Sequence, residues 1–274
     1  MPELPEVETI RLDLERLILG RRLKDVVVRD SRVVREQTAK EFIQTLVGKS
    51  VQSVSRRGKA LILVLQPQGF LVVQPMMTGQ FLFLPDSQPA VPSSATKIIF
   101  HFADGNRLFY NDHRLFGRLF CTPRLADVKF LRNIGPEPLE KDFSLFWLTE
   151  QLSKRKLPIK SFLMNQSFLA GIGNIYASEI LFRSRIHPER PAQSLRTPEI
   201  RRLFQMIPKV LREAIASRGT SMLTYRDAAG ERGKFLNRIQ VYGRDQENCR
   251  RCRSLIQKIV QSGRSTFFCG TCQS

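Results

Sequence analysis

The sequence predicts an α+β chain of several domains: a short helix, an antiparallel β-sandwich or barrel, a helical region, and a small strand-rich unit built around a metal. Three observations carry this reading. Residues 23–122 alternate short apolar runs with tight turns, residues 143–217 carry helical periodicity, and four of the five cysteines form two C-x2-C pairs near the C-terminus.

The first helix is read over residues 5–19. Val7, Ile10, Leu14, Leu17 and Ile18 fall at helical spacing, Pro5 stands near the start, Glu6 and Glu8 occupy the first turn, and Gly20 follows the end. The pattern then changes to LKDVVV, ALILVL, GFLVVQ, GQFLFL, KIIFHF, NRLFY and GRLFC, separated by turn residues such as Arg57-Gly58 and Asp104-Gly105-Asn106. Seven or eight strands, interrupted by one short helix near Lys40–Val47, fit an antiparallel arrangement rather than a parallel α/β sheet. Residues 132–142 (RNIGPEPLEKD) read as a linker. Helices follow at 143–153, 159–165, 174–184 and 197–217, the last with Ile200, Leu203, Phe204, Ile207, Val210, Leu211 and Ile215 on one face. Residues 219–234 hold three glycines and little apolar periodicity, and read as a mobile loop. The resulting boundaries are an N-terminal domain at 1–131, the linker, a helical domain at 143–238 containing the loop, and a terminal unit at 239–274.

Charge narrows the function. The 274 residues include 44 Lys and Arg against 25 Asp and Glu, a formal charge of +19 with pI near 10.4. That exceeds the magnitude of about 2–8 that solubility alone asks of a small domain. It favours a polyanion such as nucleic acid, because Lys and Arg release counterions condensed on phosphates; an anionic membrane surface could use the same charge. The charge is uneven. Residues 1–15 hold Glu3, Glu6, Glu8, Asp13 and Glu15 against Arg11 alone, whereas residues 249–274 contain no acid but include Arg250, Arg251, Arg253, Lys258 and Arg264. A polyanion should therefore dock on the C-terminal half. The N-terminus lacks the basic and apolar regions of a secretory signal, and no run of 18 uncharged apolar residues occurs, which argues against a membrane span and for an intracellular protein.

Cys249-x2-Cys252-x16-Cys269-x2-Cys272 has the spacing of a tetrahedral zinc site. Four thiolates leave no position for water, so the expected cofactor is one structural Zn2+. Cys121 lies in an apolar strand and reads as a small core residue. Gly171-Ile172-Gly173-Asn174 precedes a helix, where backbone N–H groups favour an anion, and the basic run Lys154-Arg155-Lys156 with Lys160 lies nearby. The same turn could be a plain helix cap. At the front, Pro2 would become a secondary amine once Met1 is removed. Its pKa, near 8, leaves far more neutral nucleophile at pH 7 than a lysine has. Attack on an aldehyde-level carbon would give a Schiff base, with Glu3 as a general acid. Pro and Glu at a helix start account for the same residues without any chemistry.

Taken together, MPELPEVET, GIGNIYASEILF, GPEPL at 135–139, QVYGR at 240–244 and the cysteine finger containing Gly263-Arg264-Ser265-Thr266-Phe267 resemble the bacterial formamidopyrimidine-DNA glycosylase family over the full chain. Endonuclease VIII is similar in architecture but usually begins Pro-Glu-Gly-Pro. The resemblance implies an N-terminal β-sandwich, a helix-two-turn-helix domain and a zinc β-hairpin finger. It implies a monomeric repair enzyme of the bacterial cytoplasm and nucleoid, or of a DNA-containing compartment in a eukaryote. The implied partner is duplex DNA with oxidised bases or abasic sites, and the implied activity is excision of oxidised purines followed by strand cleavage. Site roles implied by the likeness are Pro2 as nucleophile, Glu3 in sugar-ring opening, Lys59 and Arg264 on phosphates beside the lesion, Lys156 and Asn174 on the DNA backbone, and Glu6 near the damaged base. Met77, Arg114 and Phe116 correspond to residues that fill the gap left by an extruded base. Read alone, Met77 and Phe116 could equally be core, and Lys59 and Arg264 solvated charges. Gln74-Pro75-Met76, Ala95 and Leu115 depart from the family pattern. Two other readings remain at this point: an enzyme preferring oxidised pyrimidines, and a catalytically silent zinc-containing DNA-binding protein.

Overall fold

A computed structural model describes every residue except Met1, Ala90, Leu223 and Thr224. The expected removal of Met1 therefore concerns a residue outside the described set. The chain divides into two compact units, one formed by Met1–Arg132 with Ser217–Lys234, the other by Asn133–Ala216 with Phe235–Ser274.

The first unit is a sandwich of two antiparallel four-stranded sheets. One has the order β1 (Leu23–Val28), β6 (Thr96–Phe102), β7 (Arg107–Asn111), β5 (Gln80–Leu84); the other runs β2 (Ser50–Arg57), β3 (Ala60–Gln66), β4 (Phe70–Gln74), β8 (Arg118–Thr122). Helix α1 (Leu4–Ile18) packs on β2 and β3, and α2 (Ala39–Leu46) packs on β1 and β8. The apolar runs are continuous because both faces of several strands are covered. Leu71 and Val73 of β4 join the main core with α1, whereas Val72 turns outward onto Phe120 and Val128. Phe130 and Leu131 of α3 (Lys129–Arg132) close over that second face. In β7 the same alternation sends Leu108 and Tyr110 to the main core and Phe109 to a small cluster with Leu84 and Ile99. Strand β2 shows no apolar run in the sequence for a physical reason. Its core residues Val51 and Val54 are three apart because the register slips between Val51 and Ser53, which breaks the two-residue period.

The second unit contains α4 (Leu145–Ser153), α5 (Ile159–Met164), α6 (Asn174–Ser184) and α7 (Thr197–Ala216), followed by the hairpin β9 (Gln257–Gln261) and β10 (Arg264–Phe268). Of residues 132–142, read as a linker, Arg132 ends α3 of the first unit and 133–142 are a packed strap of this unit. The Gly135 N–H donates to the Gln166 carbonyl at 2.8 Å, and the Ala170 N–H donates to the Pro136 carbonyl at 3.0 Å. A side chain at Gly135 would press into the backbone of Phe168 at 2.5 Å. Likewise residues 219–234, assigned from sequence to the helical domain as a mobile loop, pack with the first unit, where Tyr225 and Ala228 join the main core. Among the described residues no helix is long and apolar enough to cross a membrane.

Glu199 lies in the first turn of α7. Its carboxylate receives Arg190 through two N–H bonds (2.5 and 3.1 Å) and the Arg196 N–H at 2.8 Å. The Arg190 guanidinium is the main reason the carboxyl falls from its ordinary value of 4.5 to about 2. A carboxyl depressed in the folded state contributes stability above its unfolded pKa and loses it as pH falls through the folded value. Glu199→Gln is thus expected to cost roughly 2–3 kcal/mol at pH 7. The gap from the parent should close between pH 5 and pH 2. Urea unfolding followed by the single tryptophan, Trp147 in α4, measures it.

Candidate functional site

Three of the first-unit residues, Pro2, Glu3 and Glu6, stand at the start of α1. Pro2 and Glu3 precede the helix and are buried, Glu3 at 2% exposure as the N-cap. Glu6, three residues on, is also buried. One of its carboxylate oxygens accepts the Glu3 N–H at 2.9 Å, and the other accepts the Thr220 N–H at 2.7 Å. One side chain therefore joins the helix start to the 217–234 segment. Gly219 sits so close that a Cβ would lie 2.8 Å from Glu6 Oε1, and its φ of +80° is one that side chains disfavour. Of the five acids in residues 1–15, three are turned inward: Glu3, Glu6 and Asp13 are buried, while Glu8 and Glu15 pair with Arg11.

Lys59 occupies the two-residue turn between β2 and β3, after Gly58 at φ +57°. Arg56 moors this turn to α1. Its Nε donates to Glu8 at 2.9 Å, and its Nη1 donates to the Gly58 carbonyl at 2.9 Å. Met77, Arg114 and Phe116 lie at the surface. Met77 is 38% and Phe116 44% exposed, so neither is a core residue, and the Arg114 guanidinium stacks 4.7 Å over the Phe116 ring.

Sequence reasoning missed the residue that organises this group. Asp112 is fully buried, and its carboxylate accepts the Thr78 hydroxyl, the Arg114 N–H (3.1 Å) and the Gly117 N–H (2.8 Å). It thus fastens the turn carrying Met77 to the turn carrying Arg114 and Phe116, with Leu115 held between them at φ +58°. Gly79 and Gly117 leave room for the Tyr110 hydroxyl, which a side chain at either position would strike. Asp112 carries no motif, and only its neighbours Arg114 and Phe116 mark the turn. The Leu115 departure packs against the main core. Ala95 is buried, and its carbonyl accepts the Asp112 N–H at 2.8 Å.

In the second unit, the Gly171–Gly173 turn is wrapped by Gln166, which accepts the Gly171 N–H at 2.8 Å and donates to the Ile172 carbonyl at 2.9 Å. Asn174, at the start of α6, donates from Nδ2 to the Ser265 carbonyl at 2.9 Å. This bond joins the helix start to the residue after Arg264, which is exposed at the first position of β10 beyond the turn Ser262-Gly263. Of the basic run, Lys154 pairs with Glu150, Arg155 lies 4.1 Å over Phe168, and Lys156 is exposed. Glu179, buried in α6, accepts the N–H groups of Gln240, Val241 and Tyr242 at 2.8–3.0 Å and so seats the QVYGR segment. That role too is invisible in the sequence.

Cys249, Cys252, Cys269 and Cys272 bring their sulfurs within 4.8 Å of one another. The spacings of 4.0 Å (Cys249 to Cys272) and 3.4 Å (Cys252 to Cys269) are far beyond an S–S bond. They bracket the edge of about 3.8 Å expected of four thiolates at about 2.3 Å from one zinc. The four cysteines hold a single structural Zn2+, with Val241, Ile256 and Phe267 packed beside them. Cys121 is not part of this set. Burial pushes its thiol up to about 12.

Three family models match successive stretches of the chain. The formamidopyrimidine-DNA glycosylase N-terminal domain matches residues 1–119, the formamidopyrimidine-DNA glycosylase H2TH domain matches 134–226, and the zinc finger found in FPG and IleRS matches 246–274. The formamidopyrimidine-DNA glycosylase of Desulfitobacterium hafniense is 42% identical over 275 residues, covering all of both chains. The chain belongs to the formamidopyrimidine-DNA glycosylase family. The enzyme of that name from Streptococcus pneumoniae is 38% identical, across all of this chain and 99% of its own. Among solved structures, MutM (Fpg) from Thermus thermophilus has a TM-score of 0.89 at 38% identity, covering 99% of this chain and 98% of its own. Lactococcus lactis Fpg in complex with DNA containing an abasic site has a TM-score of 0.91 at 37% identity, covering 99% of both.

Two outcomes are expected. Asp112→Ala strands the buried Gly117 N–H and leaves the Arg114 N–H only the Thr78 hydroxyl, and it should cost about 2–4 kcal/mol, with Asp112→Asn milder; the urea midpoint by circular dichroism measures this. Chelating zinc should abolish hydrogen-exchange protection in β9 and β10 while leaving the eight strands of the first unit protected. Unchanged protection of the hairpin would contradict a structural metal.

Proposed function

We infer that this chain is a bifunctional DNA repair enzyme that excises oxidised purines, 8-oxoguanine and formamidopyrimidines, from duplex DNA and then cleaves the strand. The observation that carries the reading is the construction of the helix start: Pro2 directly precedes a buried Glu3 whose amide is tied by Glu6, so an amine and a carboxyl stand together in a site shielded from bulk water.

With Met1 removed, the Pro2 nitrogen attacks C1′ of the damaged nucleotide. The new N–C1′ bond forms as the glycosidic bond breaks, and the base departs with that bond's electron pair and a proton. Glu3 delivers a proton to the ring oxygen as the sugar opens, which leaves an iminium at C1′. The iminium acidifies C2′–H. Loss of that proton expels the 3′-phosphate, a second elimination expels the 5′-phosphate, and water then frees Pro2. Lys59 and Arg264 hold the departing phosphates. Met77, Arg114 and Phe116 occupy the gap in the stack, with the Arg114 guanidinium offering donors to the orphaned base. Lys156 and the α6 start at Asn174 grip the backbone, and Glu6 holds the loop beside the base. The protein acts as a monomer on DNA in the cytoplasm.

Borohydride reduction with a lesion-containing duplex tests the reading. The mature chain should give a covalent adduct, Pro2→Gly less, and a chain retaining Met1 none. No adduct from the mature chain would favour a silent DNA-binding protein, and faster excision of thymine glycol than of 8-oxoguanine would favour a pyrimidine-directed enzyme. Affinity should fall steeply with salt, and Lys156→Ala should reduce the slope of log K against log salt by roughly one.

A further inference from the structure

The tip of the β9–β10 hairpin carries Arg264 and is tied to the helices of the second unit through a buried cation. Lys160, in the first turn of α5, is 2% exposed. Its Nζ donates to the Thr266 hydroxyl at 2.6 Å and to the Ser265 carbonyl at 3.2 Å. That carbonyl also accepts Asn174 Nδ2 at 2.9 Å. Thr266 is fully buried and carries the connection across the hairpin, its hydroxyl donating to Gln261 Oε1 at 3.3 Å. Gln261 closes the circuit. Its Nε2 donates at 3.2 Å to the Pro188 carbonyl, which also accepts the Lys160 backbone N–H at 3.3 Å.

These bonds surround Arg264. Gln261 is its partner across the hairpin, Ser262 and Gly263 form the turn before it, and Ser265 and Thr266 follow it. Arg264 and Thr266, two apart on one strand, face the same side of β10. Arg264 and Lys160 line one cleft of about 210 Å³, together with Ser161, Asn165 and Gln261. The far end of the hairpin runs into Cys269, so zinc fixes the strands about 16 Å along the chain from Arg264. A two-stranded hairpin is only marginally stable by itself, and its tip needs an anchor of its own. The bonds at Lys160, Asn174, Gln261 and Thr266 supply it. An ammonium is costly to withdraw from water, and a neutral side chain would fill the same space at lower cost. What the ammonium adds is the capacity to hold a carbonyl and a hydroxyl at once, on the two residues that follow Arg264.

We propose that Lys160 is a positioning residue for Arg264: it sets the hairpin tip so that the guanidinium meets the phosphates that depart in strand cleavage, and it has no part in making the bond at Pro2. This rests on the readings of Arg264 and Pro2 given above. Groups that meet a reacting phosphate must be held to within about half an ångström by the residues behind them, which is the service Lys160 performs through the backbone of 265 and 266.

The experiment uses the mature, zinc-loaded full chain in single turnover, at saturating enzyme, on a duplex with a preformed abasic site. Borohydride trapping reads the bond at Pro2, and strand scission without borohydride reads phosphate departure. Lys160→Met should slow scission about fivefold and trapping less than about twofold, with one zinc retained. Lys160→Gln, which keeps a donor, should recover part of the loss. In an Arg264→Ala background Lys160→Met should cause no further loss, because both substitutions remove one function. Equal losses in the two readouts, no loss in either, a loss that accompanies departure of zinc, or additive losses in the double variant would overturn the proposal. Should Lys160→Met fail to fold, Thr266→Val, which removes one hydroxyl and leaves Lys160 the Ser265 carbonyl, must show the same separation in smaller degree or the proposal fails. An Arg264→Ala chain that cleaves as fast as the parent would instead refute the reading of Arg264, and a parent chain that gives no trapped adduct would refute that of Pro2.

Discussion

The Glu6 carboxylate is the constraint on which the rest of the first unit depends. It accepts one backbone N–H from Glu3 and another from Thr220, residues that stand at opposite ends of the chain's course through this unit. Helix α1 buries Val7, Ile10 and Leu14 in the main core, so a helix start that would fray in isolation is held by the sandwich beneath it. Pro2 and Glu3 thereby acquire a fixed place at the helix start. Glu8 extends the same logic outward by fixing Arg56 and, through it, the turn that bears Lys59.

Buried acids are used in this way throughout. Glu3, Glu6, Asp13, Asp112, Glu137, Glu179, Glu199 and Asp227 are all buried, whereas Lys160 is the one buried basic residue among those described. Several of these acids accept two or three backbone N–H groups and so fix the geometry of loops. Withdrawing them from the surface leaves the exterior more positive than the formal +19, which strengthens attraction to DNA phosphates.

Much of this was legible in the sequence. The cysteine spacing, the turn-punctuated apolar runs of the sandwich and the helical faces of α1 and α7 all rest on local periodicity or short-range chemistry. What escaped depended on distant partners. β2 is hidden by a bulge, and the 133–142 strap reads as a linker because its bonds to Gln166 and Ala170 are made by backbone that no side-chain pattern reveals. The glycines of 219–234 suggest mobility, yet one of them is there because Glu6 leaves no space for a side chain. Asp112 bears no motif, and Glu179, though inside the GIGNIYASEILF stretch, shows nothing there of its role, since the work of both is to accept N–H groups from segments that only the fold brings near. Met77 and Phe116 are ambiguous from sequence, and their exposure beside Arg114 places them at the surface.

The central claim is that the amine at residue 2, and no lysine, makes the covalent bond to the sugar. Peptide mapping by mass spectrometry of the borohydride-reduced complex with an 8-oxoguanine duplex tests it most directly. The account predicts that the deoxyribose remnant is found on the N-terminal peptide, attached at Pro2. A remnant found on Lys59 or any other lysine would contradict it.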